Sequence, residues 1–290
     1  MKVLVTGAAG EFGRDLVPWL ARKHDVRATD IAPATVPCEF VQADLRDPEA
    51  LGALVDGVDA VIHLAVLLPM PHPTAAFVDV NVKATTLLCE AAARARVGRF
   101  VYISTVWATG HGTEEGCLPV DEEAPLRPQE MYGLTKLQGE LSAEFYARMH
   151  GLSTLVLRMC GYVRCSQFSP DGSVDLATAN LGEIAACLLR PGQKVCTPND
   201  LGNLMDAAIS RDIGNFRRVI AGNAVPWHPG DIEQLGTDPL PVIERYYPGA
   251  KALFEAFGVT PAPVDAYYSV ARCRELLEIQ QEYTVADLVR

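Results

Sequence analysis

Tyr132 and Lys136 stand four residues apart at the start of a stretch that reads as a helix, so both side chains project from one face. A phenol with its ordinary pKa of about 10 is a poor base at neutral pH. A neighbouring ammonium stabilises the phenolate, so this spacing predicts an acid/base pair whose lysine can also bind a ribose. A hydroxyl at the end of the preceding strand would orient a substrate oxygen, and Ser104 and Thr105 supply two candidates. These groups suit proton transfer at an alcohol or ketone. The Tyr-x-x-x-Lys spacing also arises in plain amphipathic helices, so its meaning depends on its surroundings.

The surroundings include a glycine turn. The strand VLVT runs into Gly7-Ala8-Ala9-Gly10-Glu11-Phe12-Gly13 and then into a helix. Glycines let a backbone approach a pyrophosphate, and the helix N-terminus offers N–H groups and a positive dipole end. Asp30 ends the second strand, 23 residues after Gly7. A carboxylate there accepts both ribose hydroxyls of an adenosine and repels a 2′-phosphate, which predicts NAD over NADP. Arg14 and Arg27 are nearby cations, Arg14 reading as solvent-facing on its helix. Asp44-Leu45, after the third strand, is placed either to meet the adenine or to cap a turn.

These residues need a frame. Strands are predicted over 2–6, 25–29 and 39–41, in VDAVIHLA, RFVYIST and STLVLRM. Helices are predicted in FGRDLVPWLARK, in DPEALGALVDG with Asp47 as cap and Pro48 first, in FVDVNVKATTLLCEAAARARV, and in YGLTKLQGELSAEFYARMHG ending at Gly151. The alternation implies an α/β fold, a Rossmann-type doubly wound parallel sheet covered on both faces. After about residue 164 the pattern weakens, with LGEIAACLLR and RDIGNFRRVIA read as helices between irregular links. The expected division is a dinucleotide-binding domain over 1–164. A smaller C-terminal substrate lobe over 165–290 is expected to interleave with the last sheet elements.

A formal net charge of −11 over 290 residues disfavours nucleic acid and anionic membranes as partners. No apolar run approaches the roughly 20 residues of a membrane span. MKVLVTG opens directly on a strand, so no signal peptide is expected and the chain reads as cytoplasmic. The eight cysteines (38, 89, 117, 160, 165, 187, 196 and 273) show no Cys-x-x-Cys and no zinc spacing, and read as reduced thiols; no metal is expected.

The stretches TGAAGEFG, ATD30, AD44L, HLA65, N81VKATTLLCEAA, VYIST105, Y132GLTK136 and LR158 resemble, in order, the extended short-chain dehydrogenase/reductases of the NAD-dependent epimerase/dehydratase group. The resemblance covers about residues 1–165. It implies Tyr132 as acid/base, Lys136 as its partner and Thr105 as the hydroxyl on the reacting oxygen, with Ser104 beneath the nicotinamide. Around the cofactor it implies Gly7, Gly10, Phe12, Gly13, Asp30, Ile31, Asp44, Leu45, Leu64, Ala65, Ser104, Tyr132 and Lys136. It also implies a homodimer through the helices near 77–96 and 132–150. His63 receives no catalytic role and is expected to be a hydrogen-bonded core histidine.

The departures narrow the reading. Relatives acting on nucleotide-diphosphate sugars carry an Arg-Asp-Phe stretch, and here Met205 is aligned with that Arg, beside Asp206 and with Asp212 following. The Asn of an Arg-x-x-Asn stretch is replaced by Gly161, and Val106-Trp107 stands where sugar dehydratases carry Asp-Glu. Trp107 is expected to wall the substrate, and Arg158 or Arg164 to meet a substrate carboxylate, with Arg158 equally readable as structural. The expected activity is NAD-dependent hydride transfer at a secondary alcohol or ketone of a sugar-like or sugar-acid substrate. The alternatives are a nucleotide-sugar epimerase holding its NAD, and a non-catalytic NAD sensor.

Overall fold

The computed structural model describes residues 1–110 and 118–289; Cys117 lies outside them. In chain order the elements are β1 (Lys2–Thr6), α1 (Glu11–Leu20), β2 (Asp25–Asp30), β3 (Glu39–Gln42), α2 (Pro48–Val55) and β4 (Ala60–His63). There follow α3 (Thr74–Phe77), a π-helical turn (Val78–Lys83), α4 (Ala84–Arg94), β5 (Arg99–Thr105), a 3-10 turn (Val106–Thr109), α5 (Met131–His150) and β6 (Thr154–Met159). Then come α6 (Leu181–Leu188), α7 (Pro198–Ser210) and β7 (Phe216–Ala221). The seven strands form one sheet in the order β3-β2-β1-β4-β5-β6-β7, parallel in register from β3 through β5. The order reverses beside β1, the switch point at which an open α/β sheet binds its ligand.

The chain divides into two compact units. One holds residues 1–110, 126–158 and 202–219. Strand side chains alternate between faces, and one face puts Leu4, Val61, Phe100, Tyr102 and Val156 into a core with Leu51 of α2, Leu88 of α4 and Ala143 of α5. Trp19 of α1 lies over Gly202 of α7, where a Cβ would come within 2.1 Å of the indole. Asp206 of α7 accepts from Lys23 and His24, both at 2.9 Å. Helix ends follow the sequence: Asp47 caps α2 by accepting the Glu49 N–H, and α5 ends on Gly151 at φ +71°.

RDIGNFRRVIA is not the helix its sequence suggests. Gly214 turns the chain at φ +70°, and Phe216–Ala221 forms the seventh strand. Phe, Val and Ile suit a pleated surface, and the pairing seat beside β6 overrides the helical spacing of the arginines.

The second unit, among the described residues, holds 118–125, 159–201 and 220–289. It includes α6 and the short helices α8 (Ile232–Thr237), α9 (Leu240–Tyr246), α10 (Ala250–Phe257), α11 (Ala271–Leu277) and α12 (Val285–Leu288). Its own core gathers Phe168, Ile184, Leu188, Trp227, Leu235 and Phe254. The buried Gln193 amide cross-links it, donating to the carbonyls of Asn223 (2.7 Å) and Tyr268 (3.1 Å) and accepting the Tyr268 N–H. The seven described cysteines are free thiols. Among the described residues, no helix is long and apolar enough to cross a membrane.

Candidate active site

The glycine turn is shaped by contacts only hydrogen can fit. Gly7 has φ +73°, and a Cβ there would sit 2.6 Å from the Ala65 nitrogen. A Cβ at Gly13 would sit 2.4 Å from the Gly7 carbonyl. The turn closes through Gly10 N–H to Gly7 O (3.1 Å) and Ala8 N–H to Thr29 O (3.2 Å). Gly10 then begins α1 without a side-chain cap. The Asp30 carboxylate sits at the tip of β2, accepting the Ala9 N–H on one oxygen and the Ala32 N–H on the other, both at 2.9 Å.

Around this cradle, Phe12 is half-buried, Leu45 and Leu64 are buried, Ala65 lies against Gly7, and Ile31 is 60% exposed beside Asp30. Asp44 is held by its neighbour: the Arg46 guanidinium grips both carboxylate oxygens (2.6–3.0 Å) and keeps the group below the usual carboxylate range. A backbone cradle at a helix start, with a carboxylate one strand away, fits a dinucleotide.

Thr105 ends β5 and caps the next turn, its Oγ1 accepting the Trp107 N–H at 3.2 Å. Gly133 lets α5 start against that turn; a Cβ there would sit 2.6 Å from the Trp107 carbonyl. Tyr132 is thereby brought onto Thr105, with which its phenol hydrogen-bonds, and edge-on to the Trp107 ring at 5.7 Å. Lys136, one turn on, is 2% exposed.

Burial dominates both groups. It pushes the phenol up to about 12 against the Thr105 hydrogen bond, and the ammonium down to about 7 against the pull of Glu140. The sequence expects the ammonium to lower the phenol; here burial raises it, and the group that opposes burial is Thr105.

Glu140, which sequence reasoning passed over, lies one further turn along the same face. It is fully buried and accepts from Ser104 Oγ (2.5 Å), Arg158 Nε and Nη2 (3.0 and 2.9 Å) and Arg218 Nε (2.8 Å). The 132-136-140 spacing was the signal that could have found it.

This network corrects one expectation. The Ser104 hydroxyl donates to Glu140 at 2.5 Å. Arg158 is fully buried in an ion pair, so it does not meet a substrate carboxylate.

Two further groups hold the frame. Thr85 donates to the Asn81 carbonyl (2.8 Å), so it must accept from His63 Nε2 (2.9 Å), which leaves His63 Nδ1 to accept from Thr6 (2.8 Å). Burial lowers His63 to about 3, and it is a neutral, fully bonded core residue. In the π-helical turn, the Asn81 amide binds both backbone groups of Leu67 (2.7 and 3.2 Å) and the Thr135 hydroxyl (3.1 Å). It ties the loop after β4 to α5.

The later departures look different in three dimensions. Met205 lies inside α7 with no exposure, and Asp206 is spent on Lys23 and His24, so this segment is not where a diphosphate clamp would stand. Asp212 turns the chain instead, accepting the Gly214 N–H at 2.9 Å. Gly161 has φ +117°, a backbone reason for glycine independent of any substrate. Arg164 is exposed, in the second unit.

Residues 3–225 match the NAD dependent epimerase/dehydratase family. The chain belongs to this family. Among curated members it is 37% identical over 175 residues to an L-arabinose 1-dehydrogenase (NAD(P)(+)) of Haloferax volcanii, covering 54% of this chain and 66% of that one. It is 34% identical over 163 residues to a uronate dehydrogenase of Pseudomonas syringae pv. tomato, covering 54% and 58%. The matched stretches thus span less than two thirds of these relatives. The fold is similar to that of a UDP-N-acetylglucosamine 4-epimerase from Bacillus cereus, at 21% identity and a TM-score of 0.69 over 100% of this chain and 94% of that one.

Proposed function

We propose that this family member is an NAD-dependent oxidoreductase acting at a secondary alcohol or ketone of a sugar or sugar acid. The observation that carries it is the buried Thr105–Tyr132 hydrogen bond with Lys136 on the next turn. The glycine cradle (Gly7, Gly10, Gly13), with Phe12, Asp30, Ile31, Asp44, Leu45, Leu64 and Ala65 around it, would hold the cofactor. NAD, when bound, supplies a two-electron hydride acceptor. The chain's own residues handle the proton: Thr105 orients the substrate oxygen, Tyr132 takes its proton, and Lys136 supports the phenolate and reaches the ribose. Trp107, edge-on to Tyr132, walls the site. The second unit is the proposed substrate-binding lobe, with Arg164 as a candidate contact.

The likeness to an L-arabinose 1-dehydrogenase and a uronate dehydrogenase supports an unactivated sugar or sugar acid. The buried Met205 no longer counts against a nucleotide sugar, so the test must include one. Purified protein with excess NAD and a panel of free sugars, sugar acids and nucleotide sugars is followed by the near-ultraviolet absorbance of reduced nicotinamide. Growth beyond one equivalent per chain on a free sugar or sugar acid is expected. Rearrangement of a nucleotide sugar with no net signal shows an epimerase instead. A sensor has no need of the Thr-Tyr-Lys set.

Asp30→Ala is expected to weaken NAD more than NADP, because its carboxylate is the group that accepts ribose hydroxyls and repels a 2′-phosphate. Calorimetric titration of both cofactors checks this; an unaltered ratio takes Asp30 out of the ribose site.

We also propose a homodimer through α5, whose outer face exposes Leu141, Phe145 and Met149 by 52–61% at four-residue spacing. Phe145→Asp is expected to give monomers in sedimentation velocity. A sedimentation coefficient equal to the wild type's, with the wild type dimeric, places the interface elsewhere.

A further inference from the structure

Tyr102 lies two residues before Ser104 on β5, so both side chains face α5. It has no exposure, and its ring centroid lies 4.1 Å from Lys136 Nζ. Its hydroxyl donates to the Lys136 carbonyl at 3.3 Å. The helix is notched to receive it: a Cβ at Gly139 would come within 2.1 Å of the Tyr102 oxygen. The ring is thus locked under the lysine by contacts at both ends.

An ammonium out of water needs replacement partners, and an aromatic face is one. The charged or titratable groups around Lys136 are Tyr132 and Glu140 on its own helix and His63 of β4. Behind Glu140 stand Arg158 of β6 and Arg218 of β7. His63 is neutral. Glu140 is shared among Ser104, Arg158 and Arg218, so its charge is largely answered by two arginines. Among the described residues, that makes the Tyr102 face, at 4.1 Å, the close partner of the ammonium.

We propose that Tyr102 is a positioning residue for the acid/base pair, its ring face holding the Lys136 ammonium charged and aimed. This rests on the reading of Tyr132 and Lys136 given above, but its primary test needs neither cofactor nor substrate. Lysine ε-methylene carbons carrying carbon-13 are titrated by NMR in the cofactor-free protein, the Lys136 signal being assigned with Lys136→Arg. Its midpoint is expected near 7, well below the roughly 10.4 of an ordinary lysine. Tyr102→Phe keeps the face and is expected to keep that midpoint within a few tenths of a unit of the wild type's. Mono-, di- and trifluorinated phenylalanine at 102 then drain the ring progressively at nearly constant shape. A cation–π contact favours the charged form, so the midpoint is expected to fall stepwise, by about one pH unit in all.

A residue that only fills the core would change stability and leave the midpoint in place, so an unmoved midpoint across the folded series overturns the proposal. If Tyr102→Phe does not fold, monofluorinated tyrosine at 102 retains the hydroxyl, and its phenol, pushed up by burial, stays protonated through the titration. The midpoint is again expected to fall, and an unmoved one overturns the proposal. Lys136→Met separates the two readings. Undiminished turnover in that variant removes the acid/base role of Lys136, and the NMR result still judges the ring.

Discussion

Tyr132→Phe is expected to lower kcat/KM by about 10²–10⁴-fold, the usual reach of a positioned acid/base, while NAD affinity stays close to the wild type's. The phenylalanine keeps the edge-on contact with Trp107 and the packing of α5 on the turn after β5. It loses only the oxygen that meets Thr105. Because burial holds the phenol high, proton transfer needs the fully assembled site. Turnover is followed by reduced-nicotinamide absorbance and affinity by tryptophan fluorescence. A variant as active as the wild type ends the mechanism. One that loses NAD binding in proportion to rate shows Tyr132 to be a cofactor ligand and nothing more.

Glu140→Ala is expected to cost about 3–5 kcal/mol, the range for removing one partner of a buried ion pair. The loss strands Arg158, which has no exposure, leaves Ser104 without its acceptor, and leaves Arg218 with Glu144 at 3.2 Å. The midpoint of urea unfolding, read by circular dichroism, checks it. Domains typically hold 5–15 kcal/mol in total, so the variant stands near the edge of folding. A midpoint within a few tenths of a kcal/mol of the wild type's would show that water replaces the carboxylate and that the network is less dry than its burial indicates. Arg158→Leu tests the same network from the other side; a change in substrate affinity with unchanged stability would restore Arg158 to the substrate.

The parts of the site visible in the sequence are those whose partners are near in the chain or whose shape is set by one residue. Gly7 and Gly13 announce themselves because only glycine tolerates the close backbone approach, and Asp30 because a strand end fixes where its carboxylate points. Tyr132 and Lys136 share a helix face by spacing alone. What stayed hidden joins distant segments: Ser104 to Glu140 across 36 residues, Arg158 to Glu140 from another strand, Tyr102 to a notch at Gly139. Arg158, readable from sequence as a substrate contact or as structural, therefore shows its role only once its inward partner is seen. Met205 reads in sequence as a lost substrate contact, whereas its side chain is buried within α7. FRRVIA follows helical spacing in sequence, yet it completes the sheet because the last edge was open to it.

The first unit is written in three pieces, the last of them residues 202–219. A chain emerging from the ribosome therefore makes the glycine turn and the Tyr-Lys helix long before it makes Asp206 for Lys23 and His24, Gly202 for Trp19, or Arg218 for Glu140. Until then Glu140 holds only two of its three cognate donors, and Trp19 lacks its cover at Gly202. Synthesis of 159–201 intervenes, so the nascent first unit waits through an entire foreign stretch before its last layer arrives. A proteolytic or genetic cut near residue 164 would for the same reason release an unfinished sheet, and the dinucleotide fold here is a property of the nearly whole chain.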